Sequence, residues 1–120
     1  MRVKRFRAWR PAEEFVEEVA SVPYDVVDRK QATALAADKP NSFLHVVRAE
    51  IDLPEVEDLY AEIVYETAKA NLNRLMKEGV HIREDEGSLY LYSQRMGDHI
   101  QYGIVASCHF EDYEKGKIKI

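Results

Sequence analysis

The sequence predicts an α/β fold of the α+β kind, with three helices and a mixed or antiparallel sheet. Three observations indicate it: an apolar stripe at helical spacing within about residues 58–78, an apolar and polar alternation within residues 89–110, and a Gly-Asp turn inside that alternation. The chain has 120 residues, of which 46% are hydrophobic and 32% charged, which is typical of one globular domain. We therefore expect residues 1–120 to form a single domain.

The first elements are a strand and a short helix. Residues 3–9 are predicted to form the strand, although their alternation is imperfect. Pro11 suits the first position of a helix, because its missing N–H would have no partner there, and Phe15 and Val19 follow at helical spacing. This helix should end before Pro23, because a proline disfavours helical geometry in the residue before it.

The next segment is predicted to cross from one strand to another through a helix. Asp28 is a suitable N-cap with Gln31 three residues later, so a second helix should run to about Asp38 and end before Pro40. The apolar run at residues 42–47 is then predicted to be a buried strand.

The third helix is the longest and spans about residues 58–78. Gly79 supplies its C-terminal stop. Its apolar stripe consists of Tyr60, Val64, Ala68, Leu72, Leu75 and Met76. We expect this stripe to pack on the sheet that contains the following hairpin.

The hairpin is predicted from residues 89–96 and 99–110, joined by a tight turn over residues 96–99 that is built on Gly97 and Asp98. One face of its second strand carries Ile100, Tyr102, Ile104, Ala106, Cys108 and Phe110. Residues 117–120 resemble a further strand without a stop signal, so we expect the chain to be an amino-terminal fragment that forms a homo-oligomer through this truncated edge.

Charge is unevenly distributed along the chain. Residues 1–10 contain five basic and no acidic residues, so the other 110 residues carry 12 basic and 22 acidic ones and a net charge of −10. The basic segment is either a contact for a phosphate group or an edge strand whose cations pair with the acidic remainder. Nucleic acid is an unlikely partner, because duplex binding requires clustered cations on a surface that does not repel DNA.

The sequence also argues against several classes of protein. The single cysteine, Cys108, excludes an intramolecular disulfide and is typical of the reducing cytoplasm. No apolar run approaches the roughly 20 residues of a membrane span. The five glycines form neither a dinucleotide fingerprint nor a phosphate loop, and the four histidines lack metal-ligand spacing, so no metal is expected. The cofactor, if one exists, is unknown.

Two groups of residues are candidates for a ligand site. In the first, Arg7 and Arg10 flank Trp9, and two guanidinium groups beside an indole can hold a carboxylate or phosphate. The alternative is a core tryptophan with Arg10 paired to a glutamate.

The second group lies in the crossover segment. Its candidate ligand-binding residues are Tyr24, Ser42 and Arg48, and its candidate proton-transfer groups are His45 and Asp25. The alternative for His45 is a hydrogen-bonded core histidine.

A family resemblance covers nearly the whole chain. The segments FRAWRP, SVPYDVVDRKQA, NSFLHVVRAEIDLP, YETAKANLNRLMKEGV, LYLYSQRMGDH and EDYEKGKIK occur in order. They resemble the amino-terminal part of a prokaryotic family of uncharacterised conserved proteins, domain of unknown function 1015. The resemblance implies a longer protein that continues with a His-Glu segment, and it implies no activity. A fainter likeness is to the small α/β fold of ParB and sulfiredoxin, which binds nucleotides, but the catalytic box of that fold is missing.

Two functions follow as hypotheses. One is an enzyme domain that binds an anionic small molecule, such as a phosphorylated metabolite or nucleotide. The other is a non-catalytic binding or regulatory module whose basic amino-terminal strand contacts an acidic partner.

Overall fold

A computed structural model of the chain describes residues 1–118. Its strands are β1 (Val3–Lys4), β2 (Trp9–Pro11), β3 (His81–Arg83), β4 (Tyr90–Met96), β5 (His99–Val105) and β6 (Ser107–Cys108). Its α-helices are α1 (Val16–Val19), α2 (Arg29–Ala36), α3 (Leu44–Val47), α4 (Glu62–Lys77) and α5 (Phe110–Glu114), and its 3-10 helices span Glu13–Phe15, Tyr24–Val26 and Ala49–Asp52. This mixture of helices and small sheets confirms the predicted α+β class.

The strands form three two-stranded sheets instead of one larger sheet. β1 pairs with β6, β2 with β3, and β4 with β5, and the first and last of these pairs are antiparallel. The chain divides into two compact units. The central unit comprises residues 10–82, and the terminal unit comprises residues 1–9 together with the residues from Arg83 onward. The assignment of residues 1–120 to one domain stays a prediction.

Helix α2 confirms the prediction made from its capping residues. The Asp28 side chain accepts a hydrogen bond from the Gln31 backbone N–H at 2.8 Å, and the Gln31 side chain accepts one from the Asp28 backbone N–H at 2.9 Å. This reciprocal pair satisfies backbone donors that have no partner inside the helix. The helix ends at Ala36, shortly before the predicted residue Asp38.

The predicted strand at residues 42–47 is wrong, because residues 44–47 form helix α3. The backbone N–H groups of Val47 and Arg48 donate to the carbonyls of Phe43 and Leu44 inside the same segment. Leu44 is fully buried, and Phe43 and Val46 pack against the core. Their spacing of three residues suits a helix, and a short apolar run does not distinguish the two structures by periodicity alone.

Helix α4 begins at Glu62 and not near Asp58. Asp58 instead forms a turn, in which its side chain accepts a hydrogen bond from the Tyr60 N–H at 2.9 Å and its carbonyl accepts one from Ala61. Tyr60 therefore precedes the helix and is 82% exposed. The predicted stop is confirmed, since Gly79 has a φ of 74°, a conformation that favours glycine.

Helix α4 packs inside the central unit, and its packing on the hairpin stays a prediction. Helix α4 packs on α3 and on the 3-10 helix Ala49–Asp52, which belong to the central unit. Leu75 is fully buried and forms a core cluster with Val19 and Val80. The register of the stripe is therefore confirmed at Leu75, but its partners are helices.

His81 lies at the edge of this core. It is 7% exposed, and its ring stacks on Phe43 with centroids 5.6 Å apart. Its Nε2 atom is buried and has no hydrogen-bond partner among the described residues. Burial lowers the pKa of His81 from its usual value of 6.5, because desolvation disfavours the charged imidazolium.

The hairpin and its turn are confirmed. β4 and β5 pair in register from Tyr90 with Val105 to Met96 with His99, which leaves a two-residue loop. Gly97 has a φ of 60°, the conformation that a II′ turn requires at its first central position. The second strand ends at Val105 and not at Phe110.

The residues after β5 anchor the amino terminus in the terminal unit. The buried Asp112 side chain accepts hydrogen bonds from the Arg2 backbone N–H at 2.6 Å and from the Arg2 guanidinium at 3.2 and 3.3 Å. These hydrogen bonds from Arg2 lower the pKa of Asp112 to about 2. Helix α5 replaces the end of the predicted strand, and the His109 side chain caps it by accepting from the Glu111 N–H.

The ends of the chain also depart from prediction. The strand expected at residues 3–9 is two short strands, with an isolated bridge from Phe6 to Ser88 between them. Of the strand expected at 117–120, Lys117 and Ile118 form a bend and the other two residues lie outside the described range. Among the described helices, none has the length and apolarity that crossing a membrane requires.

Candidate functional site

The predicted site residues fall in both units. Arg7 and Trp9 lie in the terminal unit. The Arg7 Nε–H donates to the Glu84 carbonyl at 2.7 Å, and Trp9 is 49% exposed and so does not form a core plug. Arg10 belongs to the central unit and has interaction partners.

The remaining five predicted site residues all belong to the central unit. Two of them, Tyr24 and Arg48, line one cleft of about 320 Å³. Asp25 is exposed on the same 3-10 helix as Tyr24 but does not line the cleft. Ser42 is buried, and its Oγ accepts a hydrogen bond from the Leu44 N–H at 3.4 Å. Its hydroxyl is therefore the hydrogen-bond partner of the first residue of α3.

His45 is held by hydrogen bonds inside the central unit. Its Nδ1 lies 2.8 Å from the Asp52 carboxylate and its Nε2 lies 3.1 Å from the Lys39 carbonyl. The Asn71 side chain donates to the His45 carbonyl at 2.7 Å and to the other Asp52 oxygen at 2.9 Å. Both ring nitrogens are therefore engaged with protein oxygens, and the cluster ties α3 to α4.

The floor of the cleft contains an ion pair between Arg48 and Glu50. Glu50 is 5% exposed, and its carboxylate lies 2.9 Å from the Arg48 Nε. The direction of the Nε–H does not meet hydrogen-bond geometry, so charge attraction and not a directed hydrogen bond joins the two groups. A buried carboxylate requires such a partner, because desolvating an unpaired charge is costly.

The terminal nitrogens of Arg48 are the unusual feature of the cleft. The Arg48 side chain is 18% exposed. Within residues 1–118, no group forms a hydrogen bond or ion pair with its Nη1 or Nη2. The two nitrogens are not among the buried atoms without a partner, so solvent reaches them, and they form the planar fork that matches a carboxylate or phosphate. Arg48 is therefore held by Glu50 on its Nε side, while Nη1 and Nη2 have no hydrogen-bond or ion-pair partner among the described residues.

Aromatic side chains form the walls of the same cleft. Tyr24 comes from the 3-10 helix, Tyr60 from the turn before α4, and Tyr65 from the first turns of α4. All three are exposed. Tyrosine combines an apolar ring with a hydroxyl that donates and accepts hydrogen bonds. The cleft therefore offers one cationic fork, one buried carboxylate and three aromatic rings.

The sequence did not indicate Glu50, Tyr60 or Tyr65 as site residues, and Tyr60 was expected in the core stripe of the long helix. Glu50 follows Arg48 by two residues, and the two side chains come together in the turn between α3 and the following 3-10 helix. The signal was present as a charged pair around the apolar Ala49, which is buried. Among the described residues, no cluster of histidine, cysteine and carboxylate side chains could hold a metal ion.

The position of Arg48 depends on a second arginine. The Arg29 guanidinium donates to the carbonyls of Val56 at 2.6 Å, Glu50 at 2.8 Å and Leu53. Three carbonyls around one guanidinium fix the course of the loop at residues 50–56, because arginine presents its donors in a rigid fork. Arg29 therefore supports the floor of the cleft without lining it.

The fold is a small α+β arrangement and the candidate site is a tyrosine-walled cleft with an arginine at its floor. Comparison with known proteins identifies the family. The model of the family described as protein of unknown function (DUF1015) matches residues 3–120, and the chain belongs to this family. Neither a curated protein nor a solved structure matches the chain.

Proposed function

We propose that the central unit binds a small anionic molecule in the cleft at Arg48. The observation that carries the proposal is the half-buried guanidinium whose Nη1 and Nη2 atoms lack protein partners in the described chain. Glu50 engages the Nε side of the group, so a carboxylate or phosphate can accept two parallel hydrogen bonds from the other side. A phosphorylated small molecule or nucleotide is the ligand class that the proposal favours.

The carboxylate of Glu50 restricts how such a ligand enters. A like charge next to a bound anion costs free energy, so the anionic group should approach along the line that keeps Arg48 between it and Glu50. The cost is offset because Glu50 removes the rotational freedom of the arginine before the ligand arrives. Preorganisation of this kind increases affinity by reducing the entropy lost on binding.

The geometry of the cleft supports ligand binding better than it supports catalysis. The two proton-transfer candidates do not line the cleft: Asp25 is exposed beside it and His45 has both ring nitrogens engaged. The enzyme hypothesis therefore requires a proton-transfer group other than these two. The alternative binding surface, the basic amino-terminal strand, is less favoured because Arg2 is paired with Asp112 and Arg7 with a backbone carbonyl.

The test is ligand-induced stabilisation of the 120-residue chain. Inorganic phosphate, sugar phosphates and nucleotides should be screened by thermal unfolding, followed by calorimetry on any compound that raises the midpoint. A ligand at 100 times its dissociation constant should raise the free energy of unfolding by about 2.7 kcal/mol. Arg48→Gln should abolish the shift, since glutamine cannot donate a charged fork.

A matched control tests whether the loss of one positive charge outside the cleft is enough to abolish ligand-induced stabilisation. Lys69→Gln removes one positive charge from an exposed position on α4 that does not line the cleft. It should leave ligand-induced stabilisation unchanged, because it removes one positive charge without altering a residue that lines the cleft. If none of these phosphorylated compounds stabilises the wild-type chain, or if Arg48→Gln binds as tightly as wild type, the proposal is wrong.

A further inference from the structure

Acidic residues dominate the segment of the chain that forms most of the cleft at Arg48. Residues 49–68 supply seven of the eleven residues that line this cleft. They include seven carboxylates and no lysine, arginine or histidine, and we call them the acidic segment. Glu50 and Asp52 are paired with Arg48 and His45. The other five are exposed and form no ion pair within the described chain: Glu55, Glu57, Asp58, Glu62 and Glu66.

This charge distribution disfavours a ligand that is only an anion. A phosphate monoester carries a charge of about −1.5 to −2 at pH 7, whereas Arg48 supplies one positive charge and is already paired with Glu50. The carboxylates of the acidic segment repel such a ligand as it approaches. A positive group at the other end of the ligand offsets this repulsion, because that end then lies among carboxylates.

The tyrosines of the cleft provide a contact for such a positive group. Tyr24 is 60% exposed, Tyr60 82% and Tyr65 59%. Among the described residues, none of the three rings stacks on another aromatic ring or has a side-chain hydrogen bond. The face of a tyrosine ring carries partial negative charge and attracts a cation that lies within about 6 Å of its centre. Glu62 lies three residues before Tyr65 on α4, a spacing that places the two side chains on the same side of the helix.

We infer that the cleft at Arg48 binds a phosphate ester that carries an ammonium group, such as phosphocholine. Its phosphate accepts hydrogen bonds from Nη1 and Nη2 of Arg48, and its quaternary ammonium lies against the tyrosine rings beside the acidic segment. A quaternary ammonium has no N–H to donate, and aromatic faces are its usual contact in proteins. This inference rests on the proposed anion site and specifies the other end of the ligand.

The size of the cleft is suitable for such a compound. Its volume is about 320 Å³, and ligand pockets generally range from about 300 to 1,000 Å³. A nucleoside monophosphate could also stack its base on a tyrosine ring. A neutral base leaves the repulsion between the phosphate and the acidic segment uncompensated, so phosphocholine should be the tighter ligand.

The test compares phosphocholine with its neutral analogue, in which carbon replaces the quaternary nitrogen, by calorimetry on the 120-residue chain. The two compounds have the same shape and the same phosphate. At low salt phosphocholine should bind about tenfold more tightly, and the difference should decrease as salt is added. Equal affinities overturn the inference but leave the anion site at Arg48 in place, whereas failure of every phosphate compound to bind overturns both.

Substitutions test whether the preference for the charged compound comes from the cleft. Tyr65→Leu and Glu62→Gln should each reduce the ratio of the two affinities, while the neutral analogue still binds. The matched control is Tyr102→Leu, which removes a tyrosine of 65% exposure from the terminal unit and should keep the wild-type ratio. Circular dichroism shows whether each variant is folded. A wild-type ratio in both Tyr65→Leu and Glu62→Gln overturns the inference.

Phosphocholine exists both as a free compound and as a lipid headgroup, so two further measurements identify the source. Sedimentation with phosphatidylcholine vesicles supports a headgroup ligand. Binding of free phosphocholine without vesicle binding supports a soluble ligand. A nucleoside monophosphate that binds more tightly than phosphocholine overturns the inference.

Discussion

His81 shows what burial does to a single titratable residue. Its ring stacks on Phe43, and its Nε2 has no partner among the described residues. A neutral imidazole in this position leaves one polar atom unsatisfied, which costs about 1–3 kcal/mol. A charged imidazolium would cost more, and this difference is the reason for the lowered pKa.

The lowered pKa of His81 predicts that the central unit loses stability in mild acid. Below pH 6.5 the unfolded chain binds a proton that the folded chain does not, so the free energy of unfolding should fall as the pH decreases from 6.5 toward the folded pKa. Denaturant titrations between pH 8 and 5 measure this slope. His81→Phe keeps the stacked ring without a titratable group and should flatten it.

The control for this experiment is another histidine. His99 is exposed beside the hairpin turn, and His99→Gln should retain the wild-type slope. If His81→Phe shows the same loss of stability in mild acid as wild type, another group is responsible for it.

At the scale of elements, local signals predicted the helix cap, the helix stop and the hairpin turn well, but they did not predict the structure of a short apolar run. The capping box of α2 and the glycine that ends α4 involve residues adjacent in sequence, so their chemistry can be recognised from the sequence. The hairpin turn is also built from residues adjacent in sequence, Gly97 and Asp98. The strand predicted at residues 42–47 failed because a short apolar run fits both structures, and the hydrogen bond from the Phe43 N–H to the distant Val19 carbonyl is not visible in the sequence.

The candidate site could be predicted only in part for the same reason. Arg48 and Tyr24 were recognised by residue type, and they do share a cleft. Glu50 lies two residues from Arg48, a spacing that would also put both side chains on one face of a strand, so this ion pair was open to prediction from the sequence. Residues of the amino-terminal strand were grouped by sequence proximity, which gives no information about contacts across a fold.

Helix α4 allows a direct test of which positions are core. Leu75 is fully buried, whereas Leu72 on the same helix is half-buried. Leu75→Ala should lower the free energy of unfolding by about 2–5 kcal/mol, because it removes a buried side chain and leaves a cavity. Leu72→Ala should cost clearly less in the same denaturant titration. Equal costs would show that the packing of α4 differs from the one described.

At the scale of the whole molecule, the two units should respond to acid in different pH ranges. In the terminal unit, Asp112 holds the amino terminus, and its pKa is lowered to about 2. A lowered carboxyl pKa stabilises the fold above the ordinary value of 3.8, and this contribution is lost as the pH falls from 3.8 through about 2. The central unit should respond earlier, near the titration of His81.

Amide hydrogen exchange and NMR titration can follow these steps separately. The Arg2 amide should remain protected down to about pH 3 and lose protection as Asp112 is protonated. Asp112→Ala, which removes the acceptor, should expose this amide at neutral pH. Glu114→Ala, the same truncation at an exposed position of α5, should not. Loss of the Arg2 contact near pH 4 or above would contradict the assignment.

The three carbonyls that Arg29 contacts link the shape of the candidate cleft to a residue outside its lining. Its guanidinium fixes the loop from which Glu50 projects, and Glu50 in turn holds Arg48. A lysine has one ammonium group and cannot reproduce three divergent contacts. A substitution at Arg29 would therefore alter the shape of the candidate cleft while every residue lining it stayed the same.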